Sequence, residues 1–206
     1  MEFHDKGYQI VRNTITKDVL TLLQLQLELL LQLKLYSNNT TELQYSSLKN
    51  RLGEYCNPIT EGLLLFLQPI VEQYTGKKLL PTYSYVRRYY NGASLREHTD
   101  RSSCDYSITL SIQADPNPWP IWIRDLHGEN VKTILDPGDI MIYRGKQRPH
   151  WRDQYKGLKH TQVFLHFVDA EGPYKDFVFD TREGLAMPFE FKKMNELEAA
   201  MKAANK

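Results

Sequence analysis

The residues of this sequence best suited to chemistry are a histidine and an aspartate two positions apart, in the segment His98-Thr99-Asp100. On a β-strand, residues i and i+2 point to the same side about 7 Å apart, so the imidazole and the carboxylate could bind one metal ion together. The pair alone is weak evidence, because a chain with six histidines often contains one by chance. A similar pair, His127-Gly128-Glu129, lies in a predicted hairpin turn and is expected to be exposed.

His150 is the candidate for a third ligand. It follows a predicted turn over residues 136–139 and a predicted strand over 139–143, and a loop leads from that strand to the histidine. Two histidines and one carboxylate form the ligand set of non-haem Fe(II) oxygenases, which leaves three positions of an octahedral ion open. A structural zinc site would close its fourth position, usually with cysteine, and Cys104 is near in sequence but not placed for that role. The pattern predicts a catalytic metal centre, with Fe(II) as the expected ion.

The surrounding sequence resembles a known enzyme family. Residues 89–100, Tyr-Tyr-Asn-Gly-Ala-Ser-Leu-Arg-Glu-His-Thr-Asp, resemble the Tyr-x-x-Gly-x-x-apolar-x-x-His-x-Asp signature of prolyl 4-hydroxylase-like 2-oxoglutarate/Fe(II) oxygenases. The Pro-Gly-Asp turn at 137–139 is similar to the turn before the distal histidine strand of that family, and Gly-Tyr-Gln-Ile-Val-Arg-Asn at 7–13 resembles its usual start. The likeness covers residues 79–170 well and the first third loosely. It implies a double-stranded β-helix (jelly-roll, cupin-like) core with the metal between its sheets.

The resemblance also implies a binding site for the cosubstrate 2-oxoglutarate. In the family, a basic residue nine or ten positions after the distal histidine pairs with the C5 carboxylate, which here gives Lys159 or His160. Lys159 is favoured by its positive charge. His160 is favoured by strand register, because it would share one face with Gln162, Phe164 and His166. Arg152 is a third candidate, and further contacts are expected from Tyr89 and from the hydroxyl group of Ser111.

The expected reaction is hydroxylation of an amino-acid, peptide or protein side chain. The resemblance implies that O₂ is the oxidant, that 2-oxoglutarate is decarboxylated to succinate, and that ascorbate is a candidate reductant. Halogenating members of the family lack the carboxylate ligand, so Asp100 favours hydroxylation. Two alternatives are a non-catalytic jelly-roll module that binds a ligand or protein, and a metal-dependent hydrolase or isomerase on the same scaffold. The candidate residues of the substrate pocket are Arg101, Trp151, Tyr90 and Arg88.

The pattern of apolar residues and turn formers predicts one domain, residues 1–206, in three parts. Residues 1–78 form a helical support, with a short β-like run at 7–13 and helices over 19–36, from 40 to about 55, and over 60–74, where Pro69 should kink or split the helix. Residues 79–182 form the jelly-roll core, with strands at 83–90, 106–113, 121–124, 131–135, 139–143, 161–169 and 177–180. Residues 188–206 form a C-terminal helix.

Composition limits the partners and the compartment. The net charge is +1 with scattered basic residues, so we expect no nucleic-acid partner. The leucine-rich run at 19–35 is interrupted by glutamines and charges, and the start of the chain lacks the apolar stretch of a signal peptide, so we expect no membrane segment. Cys56 and Cys104 are expected to be reduced thiols in a cytoplasmic protein. The expected partner is an amino-acid, peptide or small-molecule substrate. The sequence leaves the choice between monomer and homodimer open.

Overall fold

The computed structural model describes residues 2–187 and 191–204. Its helices are α1 (Glu2–Lys6), α2 (Lys17–Ser37), α3 (Glu42–Lys49), α4 (Pro58–Thr75) and α5 (Phe191–Ala204). Its strands are β1 (Tyr8–Val11), β2 (Arg51–Tyr55), β3 (Leu79–Tyr90), β4 (Leu95–His98), β5 (Tyr106–Gln113), β6 (Ile121–Arg124), β7 (Asn130–Thr133), β8 (Ile140–Tyr143), β9 (His150–Arg152) and β10 (Lys159–Asp169). Two 3₁₀ segments cover Ser102–Cys104 and Lys175–Thr181.

The strands form two antiparallel sheets. The larger sheet has the order β1-β8-β5-β10-β3-β2, and the smaller has the order β4-β9-β6-β7. Apart from β6 and β7, which form a hairpin, neighbouring strands come from distant parts of the chain, as in a jelly-roll in which the chain crosses between the sheets. The predicted jelly-roll core with flanking helices is confirmed.

Side-chain alternation on β10 separates the inside of the jelly-roll from the helical layer. Val163 and Leu165 pack with leucines of α2 and α4 in the main core on the outer face of the larger sheet. The alternate residues point inward: His160 contacts Gln162, while Phe164 and His166 line a cavity. The helices therefore cover one face of the sheet, and the other face carries polar groups between the sheets.

The leucine-rich segment is a single helix. Leu23, Leu27, Leu31 and Leu35 recur every fourth residue and are buried, and Leu30 is partly buried, whereas Leu25, Leu29 and Leu33 are exposed. In the described part of the chain, α2 is the helix that is long and apolar enough to cross a bilayer by length and composition. Its buried stripe packs against the sheet, which is how a supporting helix of a folded domain stabilises its core.

Three predicted elements differ from the structure. The helix expected to reach residue 55 ends at Lys49, because Asn50 adopts a left-handed conformation (φ 44°), and Arg51–Tyr55 pairs with β3 as an edge strand. Helix α4 continues through Pro69, which lies on its exposed side, where the carbonyl group freed by proline can bind water. Residues 177–180, predicted as a strand, belong to a 3₁₀ segment in which Phe179 has a positive φ.

Two short strands of the smaller sheet, β4 and β9, were not predicted. Strand β4 ends at His98, so Asp100 lies in the loop after it and not on the same strand as expected. Strand β9 contains only His150, Trp151 and Arg152. In both strands the inward positions include polar side chains, so the alternation of apolar residues that reveals a strand is missing.

Candidate metal centre and its cavity

His98, Asp100 and His150 meet between the two sheets. Strands β4 and β9 are adjacent, and His98 pairs directly with His150 across them. The Nε2 atoms of His98 and His150 lie 3.5 Å and 3.7 Å from Oδ1 of Asp100, and their ring centroids are 4.3 Å apart. Neighbouring ligands of one octahedral ion lie roughly 3 Å apart, so small side-chain movements would bring all three onto one metal.

Backbone hydrogen bonds set which nitrogen of each imidazole is available. Nδ1 of His98 lies 2.8 Å from the carbonyl oxygen of Arg96, and Nδ1 of His150 lies 3.0 Å from that of Arg148. A carbonyl group only accepts, so each Nδ1 carries the proton and donates it. Each Nε2 is then left with its lone pair toward Asp100, which is the tautomer that binds a metal ion.

The electrostatics of the three groups also favour a cation. Burial alone would raise the pKa of Asp100, but its contact with His98 and the nearby His150 and His166 lower it to about 2. The carboxylate is therefore ionised. Burial lowers the pKa of His150, which keeps that imidazole neutral near pH 7. The contact with Asp100 raises the pKa of His98, so a proton competes with the metal mainly at this ligand.

A glycine holds Asp100 in place. The backbone N–H of Asp100 donates to the carbonyl oxygen of Gly145 at 2.9 Å, which connects the ligand loop to the segment after β8. A Cβ atom at Gly145 would collide with Oδ2 of Asp100 and would lie 2.5 Å from Oγ of Ser107 and 2.7 Å from the carbonyl oxygen of Cys104. The position therefore requires glycine because other groups surround it closely.

The three ligands line a cavity of about 160 Å³. Its walls come from β3, β8 and β10 of the larger sheet and from the smaller sheet, and they are mainly aromatic. Arg87 is the cation among them, and His166 lies deeper, with Nδ1 2.9 Å from Oγ of Ser107. The other lining residues are Tyr83, Tyr85, Tyr89, Leu95, Tyr143 and Phe164.

Arg152 lies behind the wall formed by Tyr89 and Tyr143. It follows His150 by two positions on β9, so both side chains point between the sheets. It is 3% exposed, donates from Nη1 to the carbonyl oxygen of Trp119, and stacks on that ring at 4.8 Å. Its Nη2 has no hydrogen-bond partner among the described residues. Burial lowers the pKa of Arg152 to about 10, because none of the ion pairs in the described part of the chain supplies it with a carboxylate.

His160 and Ser111 also carry buried polar atoms that have no partner among the described residues. Nε2 of His160 lies 2.6 Å from the amide nitrogen of Gln162, which donates, so the proton of His160 is on Nδ1, and this N–H is buried and unpaired. Burial, with Arg152 nearby, lowers the pKa of His160 to about 3, so the ring is neutral. The hydroxyl group of Ser111, which pairs with Gln162 across the strands, is also buried without a partner. These three groups do not line the cavity itself. The inner end of the site, behind its wall, therefore holds a cation and donors that have no partner among the described residues.

The remaining residues predicted from the sequence lie elsewhere. Lys159 points to the outside, where its ammonium group is 3.8 Å from Glu28. Arg88 and Tyr90 also face outward and bind the carboxylate of Glu42. These three positions alternate with the inward-facing residues of their strands, and none of them lines the cavity.

Arg101 and Trp151 are also outside the cavity lining. Arg101 binds the buried carboxylate of Asp180 at 2.6 Å and so connects the ligand loop to the 3₁₀ segment near the C-terminus. Trp151 faces the outside of β9 and stacks on Trp122 at 5.7 Å. Arg87 and Tyr85 also line the cavity, but they were not predicted from the sequence. They alternate with Tyr89 on β3, and this alternation could have shown that they point to the same side.

Comparison with known proteins addresses the fold. No protein-family model matches the sequence, and no curated protein matches it. Among solved structures, a prolyl-4-hydroxylase from Pseudomonas putida superposes with a TM-score of 0.61 at 12% identity, over 82% of this chain and 95% of that one. EctD from S. alaskensis, solved with 2-oxoglutarate and 5-hydroxyectoine, gives 0.64 at 13% identity, over 90% and 84%. HygX from Streptomyces hygroscopicus, solved with nickel, 2-oxoglutarate and hygromycin B, gives 0.63 at 10% identity, over 82% and 86%. The chain therefore has the fold of the 2-oxoglutarate/Fe(II) oxygenases.

Proposed function

We propose that the protein is an Fe(II)- and 2-oxoglutarate-dependent dioxygenase. The observation that carries the proposal is the direction of the two imidazoles: each Nδ1 is bound by a backbone carbonyl group, and each Nε2 faces the same carboxylate oxygen of Asp100. Two nitrogens and one oxygen beside an open cavity suit an ion that keeps coordination positions free for other ligands. The likeness in fold to solved oxygenases supports the same assignment.

The inner end of the site fits the C5 carboxylate of 2-oxoglutarate. Arg152 is a buried cation that has no anionic partner in the described part of the chain, and a buried charge is strongly stabilised by a partner of opposite charge. The Nδ1–H of His160 and the hydroxyl group of Ser111 are further donors that need an acceptor. We assign the carboxylate to Arg152, with His160 and Ser111 as supporting donors, because Lys159 binds on the outside of the sheet. Tyr89, on the wall between Arg152 and the metal ligands, is expected to contact the cosubstrate.

The chemistry divides between the bound groups and the chain. When bound, the iron supplies the activation of O₂ that is coupled to decarboxylation of 2-oxoglutarate to succinate. The chain holds the ion through His98, Asp100 and His150, and it orients the cosubstrate through Arg152. We propose hydroxylation of an amino-acid, peptide or protein side chain as the reaction, since the carboxylate ligand Asp100 is present.

Succinate formation tests this function. The wild-type protein with Fe(II), 2-oxoglutarate, ascorbate and O₂ is expected to form succinate slowly even without a substrate. His98→Ala or Asp100→Ala should abolish both iron retention and succinate formation, because each removes one of three ligands. His127→Ala is the matched control, because that histidine lies in an exposed turn. Iron bound by the wild type without any succinate would contradict the proposal, and turnover with zinc alone would favour a hydrolase.

A further inference from the structure

A second depression opens beside the metal centre, on the side of β2 and α3. This outer groove has a volume of about 370 Å³ and is lined by Tyr45, Lys49, Arg51, Gly53, Tyr85 and Arg87. Tyr85 and Arg87 also line the metal cavity, so the groove and the cavity share a wall. A ligand in the groove could reach the metal centre past these two residues.

The outer groove carries positive charge without acidic partners. Lys49, Arg51 and Arg87 line it, and none of the three takes part in an ion pair within the described ranges 2–187 and 191–204. The acidic residue of β2, Glu54, alternates with the groove-facing positions and binds Lys34 of α2 instead. Arg88, the neighbour of Arg87 on β3, does have acidic partners, because its guanidinium binds two glutamates. An arginine with a structural role is therefore balanced by nearby carboxylates in this fold, whereas Arg87 is not.

Arg87 is positioned to bind an oxyanion. Its Nε and Nη2 donate to the hydroxyl group of Tyr85 at 3.3 Å and 3.1 Å, and its guanidinium lies 4.7 Å from the centre of that ring. These neutral contacts fix the plane of the side chain but leave its charge unbalanced. A guanidinium has five N–H donors, so several remain for a carboxylate or phosphate, which it can bind through two parallel hydrogen bonds.

A glycine in β2 makes this arrangement possible. Gly53 pairs with Arg87 across the two strands, and Tyr85 lies over it. A Cβ atom at Gly53 would collide with the hydroxyl group of Tyr85 and lie 2.7 Å from Cζ of the same ring. The ring of Tyr85, which contacts Arg87, can therefore pack directly against the backbone of Gly53 because that residue has no side chain.

We infer that the substrate is a small organic anion whose carboxylate or phosphate is bound by Arg87, with Arg51 and Lys49 contributing positive charge at the groove. The inference rests on the proposed oxygenase function and specifies its substrate class. Arg87 and the metal ligands line one cavity of about 160 Å³, so the carbon that is oxidised lies only a few bonds from the anionic group. The faces of Tyr45 and Tyr85 give the groove aromatic surface for the rest of the molecule.

Binding of matched acid and neutral probes tests the inference. The probes are phenylacetate against phenylacetamide and phenyl phosphate against phenol, titrated calorimetrically into the protein loaded with Fe(II) and saturating 2-oxoglutarate without O₂. We expect an acid to bind at least about tenfold more tightly than its neutral counterpart, because a hydrogen bond between two charged groups is stronger than one to a neutral group. The preferred acid of the two distinguishes a carboxylate substrate from a phosphate substrate.

Variants locate the binding to the groove. Arg87→Gln should remove the preference for the acid, Arg87→Lys should restore part of it, and Gly53→Ala should weaken it by displacing Tyr85. Lys132→Gln, on β7 and outside both linings, is the matched control with the same loss of charge and should bind as the wild type. Equal binding of acids and neutral probes, no binding of either, or unchanged binding in Arg87→Gln would overturn the inference. Failure of the oxygenase proposal would be seen separately, as absent succinate formation by the wild type without any probe.

Discussion

Replacing Arg152 by methionine should separate the stability of the protein from its affinity for 2-oxoglutarate. Burial lowers the pKa of Arg152 to about 10 from 12.5, so holding the cation at neutral pH costs on the order of 3 kcal/mol. Because the folded chain binds this proton less tightly than the unfolded chain, the cost applies below about pH 10 and fades as the pH rises toward 12.5. Methionine removes the charge while keeping similar bulk.

The replacement also removes two favourable contacts. The hydrogen bond from the charged guanidinium of Arg152 to the carbonyl oxygen of Trp119 contributes about 1.5–3 kcal/mol, and the buried stacking on its ring contributes about 2 kcal/mol. Set against the relief of roughly 3 kcal/mol from removing the buried charge, the expected net effect on the protein without 2-oxoglutarate is a loss of about 0.5–2 kcal/mol of stability. At about 2–4 °C per kcal/mol for a domain of this size, its Tm should fall by roughly 1–8 °C.

The effect on cosubstrate binding is expected to be larger. Loss of two charge-assisted hydrogen bonds, each contributing about 1.5–3 kcal/mol, should weaken 2-oxoglutarate binding by a factor of roughly 100 or more. Cosubstrate at 100 times Kd stabilises the wild type by about 2.7 kcal/mol, which corresponds to a rise in Tm of roughly 5–10 °C. In Arg152→Met the same concentration is about equal to Kd or below it, so the rise should shrink to about 2 °C or less.

Thermal unfolding followed with and without 2-oxoglutarate, in anaerobic Fe(II), measures both quantities. Lys159→Met is the matched control, because Lys159 carries the same charge nine positions after His150 but faces outward toward Glu28. It should retain the full rise in Tm. A strongly destabilised Arg152→Met protein in the absence of cosubstrate would refute the reasoning on stability. A normal rise in Tm for Arg152→Met, together with no rise for Lys159→Met, would refute the assignment of the carboxylate to Arg152.

Two further predictions concern the supports of the site. Gly145→Ala should weaken iron retention at least about tenfold, measured by metal analysis after gel filtration, because the added methyl group displaces Asp100. The control is Gly62→Ala on α4, whose methyl group would meet no neighbouring atom; it should keep the iron and raise stability by about 0.5–1 kcal/mol. Equal iron content in the two variants would contradict the steric argument. Glu61→Ala should lower the free energy of unfolding in urea by about 3–5 kcal/mol, because it leaves Arg182 buried without its partner at 2.6 Å; a loss below about 1 kcal/mol would show that this pair is well solvated.

The sequence by itself determined the parts of the protein in which chemistry and periodicity are local. Residue types and spacing identified His98, Asp100 and His150, and the alternation of apolar residues identified strands such as β5 and β6 at their observed bounds. The leucine-rich run was correctly predicted as a helix, because its residues favour helices and a stripe of them can be buried.

The sequence did not reveal the strands and turns whose pattern depends on the site itself. Strands β4 and β9, which carry the two candidate histidine ligands, have polar residues at inward positions. The alternation of apolar residues that predicts a strand is therefore absent from both. Strand β2 was not predicted because its residues also fit a helix. It is a strand because it pairs with β3 at the edge of the sheet, and this pairing cannot be read from the local sequence. The helix stop at Asn50 gave only a weak local signal.

Only the tertiary structure decided which cations face the cavity and which face outward. Lys159 and His160 both had the spacing of the family and Arg152 was a third candidate, but strand alternation places Lys159 beside Glu28 and turns the other two between the sheets. Arg87 and Arg88 are neighbours in sequence, yet one lines the metal cavity and the other binds two glutamates. Charge and residue type are local properties, whereas burial and the presence of an acidic partner depend on which distant segments pack nearby. For this reason the sequence was enough to predict the three candidate metal ligands, which the fold brings together, and the fold determined the surroundings that make a cosubstrate and an anionic substrate the expected occupants.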